Sequence, residues 1–339
     1  MPPTVTANVP LGPRTTLAAG GVAQYFAEAS SLEALREVVQ WARRENHAVH
    51  VLGGGSNVLV PDTGVRGLVV HPLFSDVTYE EVGASVHVTA GAGVVLDGLI
   101  EELVSRELWG MENLSGIPGT VGGVPIQNVG AYGVEGKDVI VSVAGYDPTN
   151  DTVVTLSNEA CMFAYRDSYF KHEGRHLIIT SVTFVLSRVA TPKLSYKDLV
   201  ERFGAQASPT LSDIRHAVIA IRSSKFPDWR TTGTAGSFFK NPIISEAHYD
   251  TLRAEYPELP GFKTADGHVK VSLGWILDRV CGLRGYTEGA VGLYHAQALV
   301  LVCTHGTPAE EIIAFADAII ARVYAATNIS VEREVTLFN

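Results

Sequence analysis

Glycine is unevenly spread along this chain. Its 33 glycines cluster at 53–55, 91–93, 116–123 and 130–136. Glycine loses more backbone freedom on ordering than any other residue and has no side chain to pack, so such clusters interrupt helices and strands. They mark particular loops around which the rest of the fold must be built. Leu52-Gly53-Gly54-Gly55-Ser56-Asn57-Val58-Leu59 follows a short apolar strand, Val49–Leu52, and precedes an apolar run. Three consecutive glycines let the backbone turn sharply and approach a ligand. Their N–H groups, with the Ser56 and Asn57 side chains, could cradle a phosphate or diphosphate. The loop is neither a Walker A motif nor a GxGxxG fingerprint, and Gly91-x-Gly93 also lacks the third glycine. Alone, such a loop is more often an ordinary tight connection.

The second glycine run strengthens the ligand reading. Ser115-Gly116-Ile117-Pro118-Gly119-Thr120-Val121-Gly122-Gly123 continues into Gln127-Asn128-Val129-Gly130-Ala131-Tyr132-Gly133. Ordering so much glycine is costly. The interspersed amides and hydroxyls suggest a long backbone wall against an extended ligand, with a glycine-rich surface loop as the plainer alternative. Two such loops, in neighbouring α/β and strand-rich segments, favour a large dinucleotide. Flavin adenine dinucleotide (FAD) is the best candidate.

Around these loops the hydrophobic pattern changes period. Ser30-Ser31-Leu32-Glu33 offers a capping box ahead of Leu32, Leu35, Val38, Val39 and Ala42, which recur with helical spacing. Gly67–Val70 follows as a strand, closing a small α/β unit near residue 75. Ser85–Ala90 alternates in period two, Leu96–Leu108 reads as a helix, and strands follow at 139–146 and 177–186. A helix near Leu211–Ile221 closes this part. Beyond Lys225-Phe226-Pro227-Asp228 the spacing predicts a helix over Leu273–Cys281 stopped by Gly282, and a buried strand at Ala298–Cys303. A last helix has Thr307 as N-cap, Pro308 first and Glu310 three after the cap, and a strand at Ser330–Phe338 ends the chain.

Bulk properties exclude several functions. A chain of 339 residues suggests two or three domains, and 46% hydrophobic residues suffice for real cores. The net charge of -10 argues against general nucleic-acid binding. Cys161, Cys281 and Cys303 are odd in number and lie in apolar surroundings, so they read as buried thiols, with no metal spacing and no disulfide framework. No basic segment precedes an apolar run at the N-terminus, and no run approaches the ~18 residues of a membrane span. The expectation is a soluble cytoplasmic protein without a bound metal.

Gly233-Thr234-Ala235-Gly236-Ser237-Phe238-Phe239-Lys240-Asn241-Pro242 adds chemistry. A hydroxyl stands between permissive glycines and two aromatic rings, with a lysine and an asparagine next. Ser237 has no GxSxG elbow and no histidine nearby in sequence to activate it. It suits a proton donor or hydrogen-bond donor better than a nucleophile.

Leu52–Leu59, Ile117–Gly133, Ala164-Tyr165-Arg166-Asp167-Ser168, Gly236–Pro242 and Glu332-Arg333-Glu334-Val335 occur in an order that resembles the UDP-N-acetylenolpyruvoylglucosamine reductases, from about Thr15 to Phe338. The first run is shared with the wider vanillyl-alcohol-oxidase-like flavoproteins. The Tyr-Arg-Asp-Ser and Gly-Ser-Phe-Phe-Lys-Asn-Pro runs are the specific part. The resemblance implies a three-domain α+β flavoprotein: a PCMH-type FAD-binding fold plus a C-terminal α/β substrate domain. Its parts would be 1–75, 76–226 with the terminal strand 329–339 returning to it, and 227–328 over the substrate. FAD would be noncovalent, since the first loop offers no histidine or cysteine for a link. Its contacts would come from Gly53, Gly54, Gly55, Ser56 and Asn57, then Ile117, Pro118, Gly119, Gly122, Gly123, Asn128, Gly130, Ala131, Tyr132 and Gly133.

The implied reaction reduces UDP-N-acetylglucosamine enolpyruvate to UDP-N-acetylmuramate for peptidoglycan. NADPH reduces the flavin, flavin N5 delivers hydride to the vinyl carbon, and a proton reaches the α carbon. By resemblance Arg166 stabilises the charge on the substrate carboxylate, and its planar fork suits that task. Ser237 gives the proton, and Glu334 is the third catalytic member. On a terminal strand Glu332, Glu334 and Thr336 would share a face. A carboxyl beside a substrate carboxylate would resist ionisation, so Glu334 could act protonated. Tyr196, Lys225 and Asn241 would hold the UDP-sugar, Tyr196 in the version of the family that has a substrate-covering tyrosine loop. NADPH would use the same pocket, and the enzyme would act as a monomer. The alternatives are an FAD oxidase of the same fold, or a UDP-sugar- or nucleotide-binding protein without catalysis.

Overall fold

The computed structural model describes residues 4–204 and 208–338. Residues 1–3 and 339, the outer ends of the segments delimited above, and 205–207 lie outside the described residues. The chain divides into two compact units. One comprises Met1–Val9, Ala23–Gly55 and Arg66–Arg222, the other Pro10–Val22, Ser56–Val65 and Ser223–Asn339.

The first unit holds a four-stranded sheet in the order Thr6–Pro10, Val22–Ala29, Val65–Pro72, Val49–Val51. Helix Leu32–Arg44 covers it with Leu35, Val38, Val39 and Ala42, the positions that recur with helical period. Its N-cap differs from the expected capping box. Ser31 Oγ accepts from Ala34 N at 3.2 Å, while the acidic residue, Glu33, stands one position short of the reciprocal one. The last strand pairs in parallel, Val49 opposite Leu68 and Val51 opposite Val70, so its carbonyl end runs straight into Gly53.

A five-stranded antiparallel sheet follows, ordered Thr152–Ser157, Ile140–Asp147, Ile178–Ser187, Ser85–Gly91, Val77–Val82. Val182 lies opposite both Val143 and Ala90, so alternation puts one apolar row on the inner face. Helix Leu96–Ser105 packs Leu96, Leu99, Ile100 and Leu103 into the same core. Ile214, Ala217 and Val218 of helix Leu211–Lys225 build a smaller cluster with Trp109, Tyr132 and Leu199.

The second unit contains two three-stranded antiparallel sheets: Ile243–Ser245, His268–Val271, Gly261–Lys263, and Thr287–Glu288, Val291–Leu293, Leu301–Cys303. Helix Ala309–Thr327 buries Ile312, Phe315, Ala316, Ile319 and Val323 in a core shared with Phe238, Phe239 and Leu301. The helix expected over Leu273–Cys281 begins with one α turn, Leu273–Trp275, and widens to a π turn at Ile276–Val280, where Cys281 N donates to Ile276 O at 2.9 Å. Gly282, at φ 63°, ends it. Cys161 and Cys303 are buried, and burial raises their thiol pKa values to about 11 and about 12. Among the described residues no helix is long and apolar enough to cross a membrane.

Two expectations are corrected here. Helix Ala309–Thr327 is not capped by Thr307, whose hydroxyl donates back to Thr304 O at 2.6 Å. The cap is Asp62, which accepts from Ala309 N at 2.8 Å and Glu310 N at 3.0 Å. A carboxylate satisfies two of the first-turn donors and the helix dipole at once, so it outcompetes a hydroxyl. The terminal segment stays in the second unit, with Thr336–Leu337 pairing in parallel with Val58–Leu59. Ile329, Val331 and Val335 bury themselves in that unit's core, which decides where the segment goes.

Candidate active site

In the first unit Arg166 sits at the corner of a tight turn. Ala164 N donates to Asp167 O at 3.0 Å and Asp167 N to Ala164 O at 3.3 Å. Closing this turn puts Arg166 at φ 54°, a left-handed conformation that a bulky L-residue adopts only under constraint. Several bonds supply that constraint. Arg166 Nη2 donates to Gly130 O at 3.1 Å, and Lys171 Nζ donates to Arg166 O at 2.8 Å. The buried Ser168 hydroxyl donates to Ile126 O at 2.7 Å. Burial alone would raise the pKa of the nearby Glu135 carboxyl, but Lys137, Asn128 and the Arg166 charge together hold it low.

The two glycine runs touch through their backbones. A Cβ on Gly54 would lie 2.6 Å from Gly119 Cα, and one on Gly53 would lie 3.1 Å from Thr120 Oγ1. Gly122 is equally enclosed, with Ala92 Cβ 2.9 Å from an added Cβ, whereas Gly123 faces open space. Gly55, at φ 63°, and Gly119, at φ 122°, need glycine for conformation alone. Among the described residues none accepts a hydrogen bond from the backbone N–H of Gly53, Gly54, Gly55, Gly119 or Thr120. Gly55 is itself buried. Donors left so, beside a wall without side chains, make a nest for an anion such as a diphosphate.

Further along, Asp97 anchors this wall. It accepts from Gly116 N at 2.6 Å and from Arg215 through both oxygens, at 2.6 and 3.1 Å. Arg222 Nε donates to Gly116 O at 3.1 Å. Tyr132, which the second run contributes, is buried and its pKa is pushed up to about 12. Its ring meets that of Tyr196 edge to face, with centroids 5.2 Å apart. Tyr196 is 44% exposed and stands just before helix Lys197–Phe203.

In the second unit Ser237 and Glu334 are brought together. Phe238 and Phe239 are buried and meet edge to face at 5.3 Å, which pins the loop by its rings. Phe238 N donates to Leu299 O at 3.0 Å, and Ser237 bridges Val300. Gly233 cannot carry a side chain, because a Cβ would lie 2.4 Å from Leu17 O. The terminal segment zips along the same loop. Lys240 N donates to Glu332 O at 2.9 Å and Glu334 N to Phe238 O at 2.8 Å. After a bend it changes partner, so that Thr336 N donates to Asn57 O at 3.1 Å, while Asn57 Nδ2 donates to Glu334 O at 3.2 Å.

The exchange of partners overturns the regular two-residue alternation expected for this segment: Val335 is buried and Leu337 exposed. Glu334 is thereby gripped on both sides of its backbone, and the residue is half-buried. Asn241 spends its amide oxygen on Leu273 N, at 3.0 Å. Lys225 ends helix Leu211–Lys225 and is half-buried.

Comparison with known proteins decides the family. Residues 23–157 match the FAD binding domain, and residues 228–338 match the UDP-N-acetylenolpyruvoylglucosamine reductase C-terminal domain. The UDP-N-acetylenolpyruvoylglucosamine reductase of Polynucleobacter asymbioticus is 39% identical over 337 residues, covering 98% of this chain and 96% of that one. This chain belongs to the UDP-N-acetylenolpyruvoylglucosamine reductase family. The reductase of Ralstonia nicotianae is 41% identical over 337 residues, covering 96% and 97%. The crystal structure of the Thermus caldophilus reductase matches with a TM-score of 0.69 at 25% identity, covering 99% of each chain.

The architecture is therefore the α+β flavoprotein fold of these reductases, a PCMH-type FAD-binding part followed by their own C-terminal domain. FAD is the cofactor, and the paired glycine runs, with their backbone donors, fit its diphosphate. A reductase-specific match over 228–338 also disfavours the two alternatives, an oxidase and a non-catalytic binder. Asp97, Arg215 and Arg222, which carry the second glycine run, are not legible as site residues in the sequence. Their only signal was charged residues on otherwise ordinary helices, and nothing in the spacing joins position 97 to position 215.

Proposed function

We propose that this chain reduces UDP-N-acetylglucosamine enolpyruvate to UDP-N-acetylmuramate, with NADPH as reductant and noncovalent FAD, as a cytoplasmic monomer in peptidoglycan synthesis. The observation that carries this reading is the joining of the Ser237 loop to Glu334 by main-chain bonds, in a chain of this family. Hydride-transfer chemistry is what FAD supplies when bound. Gly53, Gly54, Gly55 and Gly119 offer backbone donors to its diphosphate, and Ser56, Ile117, Pro118, Gly122, Gly123, Gly130, Ala131, Tyr132 and Gly133 line its length.

The chain's own side chains then divide the remaining work. Arg166 receives the substrate carboxylate in its fork and steadies the charge that builds there during reduction. Its left-handed turn keeps the guanidinium aimed without reorganisation at the moment of reaction. Ser237 Oγ–H delivers the proton to the α carbon. The carbon is strongly basic, so an unactivated hydroxyl is acid enough. Glu334, held by Phe238 and Asn57 and in its acid form, donates a hydrogen bond to the developing enolate and is restrained from turning away. Tyr196 covers the sugar nucleotide with its exposed ring, while Lys225 and the Asn241 amide meet the diphosphate. NADPH enters the same pocket once product has left.

Anaerobic half-reactions test this. The purified protein is reduced with NADPH, then mixed with UDP-N-acetylglucosamine enolpyruvate while flavin absorbance is followed. Return of the oxidised spectrum with formation of UDP-N-acetylmuramate is expected. A reduced flavin that persists in the presence of substrate overturns the reading.

A further inference from the structure

The side chain of Asn128 is 1% exposed and has all its polar capacity directed inward. Its Nδ2 donates to Ala164 O and to Glu135 Oε2, each at 3.0 Å. Its Oδ1 accepts from Lys137 N at 2.9 Å. Both amide hydrogens are thus used within the protein. Ala164 O is the carbonyl that also closes the turn carrying Arg166. Glu135 in turn pairs with Lys137 at 2.8 Å and contributes to the field at the Arg166 guanidinium. Asn128 is itself left-handed, at φ 45°. Two strained corners, 128 and 166, therefore lean on one another through a single amide. Asparagine suits the place: it tolerates a left-handed backbone better than most residues and carries donor and acceptor on one short plane.

We propose that Asn128 is a positioning residue for the Arg166 guanidinium, holding the 164–167 turn in register through the Ala164 carbonyl and orienting Glu135 beside it, and that it does not serve as a ligand contact. This rests on the reading of Arg166 given above. Aspartate keeps the acceptor for Lys137 N but cannot donate to Ala164 O, and it sets a second carboxylate against Glu135. Glycine removes the amide while accepting the left-handed backbone.

The test uses the full-length, flavin-loaded protein with Asn128→Asp, Asn128→Gly, Arg166→Ala and the two double variants. Flavin content, thermal midpoint, the rate of flavin reduction by NADPH and the rate of reoxidation by substrate are measured for each. In flavin-loaded Asn128 variants reduction by NADPH is expected to stay near wild type, while reoxidation slows by about 10²-fold, the cost of an ångström-scale misplacement. In the Arg166→Ala background the same Asn128 change is expected to alter reoxidation less than about threefold, because its effect passes through Arg166. An undiminished Asn128 effect in that background overturns the proposal, as do normal reoxidation in both single variants and loss of flavin from both. If Arg166→Ala itself reoxidises normally, the role of Arg166 falls and this inference with it. If Arg166→Ala is slow and Asn128 variants are normal, only this inference falls.

Discussion

Arg166 and Ser237 are held in place by different means. The Arg166 turn, in the first unit, is fixed by side chains reaching backbone: Asn128 to Ala164 O, Lys171 to Arg166 O, Ser168 to Ile126 O. Its backbone is strained, and charged groups surround it. The Ser237 loop, in the second unit, is fixed by main-chain bonds on both edges, to Leu299 and to Glu334, and by two rings sunk in the core. An unvarying backbone ladder gives a small hydroxyl a fixed place. A polar network gives a long guanidinium a direction. The first kind of support should resist pH and fail when its core is cut; the second should do the reverse.

The largest expected effect lies at the chemistry itself. Ser237→Ala should slow substrate-driven flavin reoxidation by roughly 10²–10⁴-fold, with reduction by NADPH preserved because the ladder stays whole. Equal loss in both half-reactions, read by stopped flow, would make Ser237 a structural residue. Phe239→Ala attacks the ladder's anchor. The ring is fully buried, so denaturant unfolding should show a loss of about 3–5 kcal/mol. A loss no greater than that of a surface substitution would break the claim that rings pin this loop.

Two smaller changes probe supports away from the catalytic candidates. Gly54→Ala places a Cβ 2.6 Å from Gly119 Cα. The runs must move apart, at about 1–3 kcal/mol, and flavin content after purification should fall; full occupancy would separate the glycine contact from cofactor binding. Asp62→Ala removes the cap of helix Ala309–Thr327 and should lower unfolding free energy by about 0.5–2 kcal/mol.

The pH comparison is the most delicate. Burial would raise the Asp97 pKa, yet Arg215, Gly116 N–H and Arg222 bring it below its ordinary 3.8. A folded value under the unfolded one means stabilisation that is complete above 3.8 and lost as pH falls through the lower folded value. Asp97→Asn should therefore melt below wild type at neutral pH, and the gap should shrink as pH drops below 3.8. A gap that stays constant with pH would show that the carboxylate charge does not carry this support.

Much of the fold was legible along the chain. Leu35, Val38, Val39 and Ala42 repeat at helical spacing and are the buried face of Leu32–Arg44. Ser85–Gly91 and Ile178–Ser187 alternate in period two and pair with each other. Glycine marked the loops, as at Gly55 and Gly119, where positive φ demands it. Less legible was the terminal segment. An alternating pattern predicts one long strand, but the chain changes partner after Glu334, from Phe238 to Asn57 and Leu59, and leaves only Thr336–Leu337 regular. Asn128 read as a ligand-facing amide because it lies in a glycine-rich run, whereas its hydrogen bonds go to Ala164, Glu135 and Lys137.

The sequence by itself determined the local periods, the glycine loops and the runs around Arg166, Ser237 and Glu334, because these depend on spacing and residue type. Tertiary structure alone decided which partner each polar group takes. Asp62 caps a helix that begins 247 residues later, and Asn57 holds the carbonyl of Glu334 across 277 residues. Such pairings arise because burial obliges each donor and acceptor to find the nearest counterpart in space, and nearness in space is set by how whole cores pack.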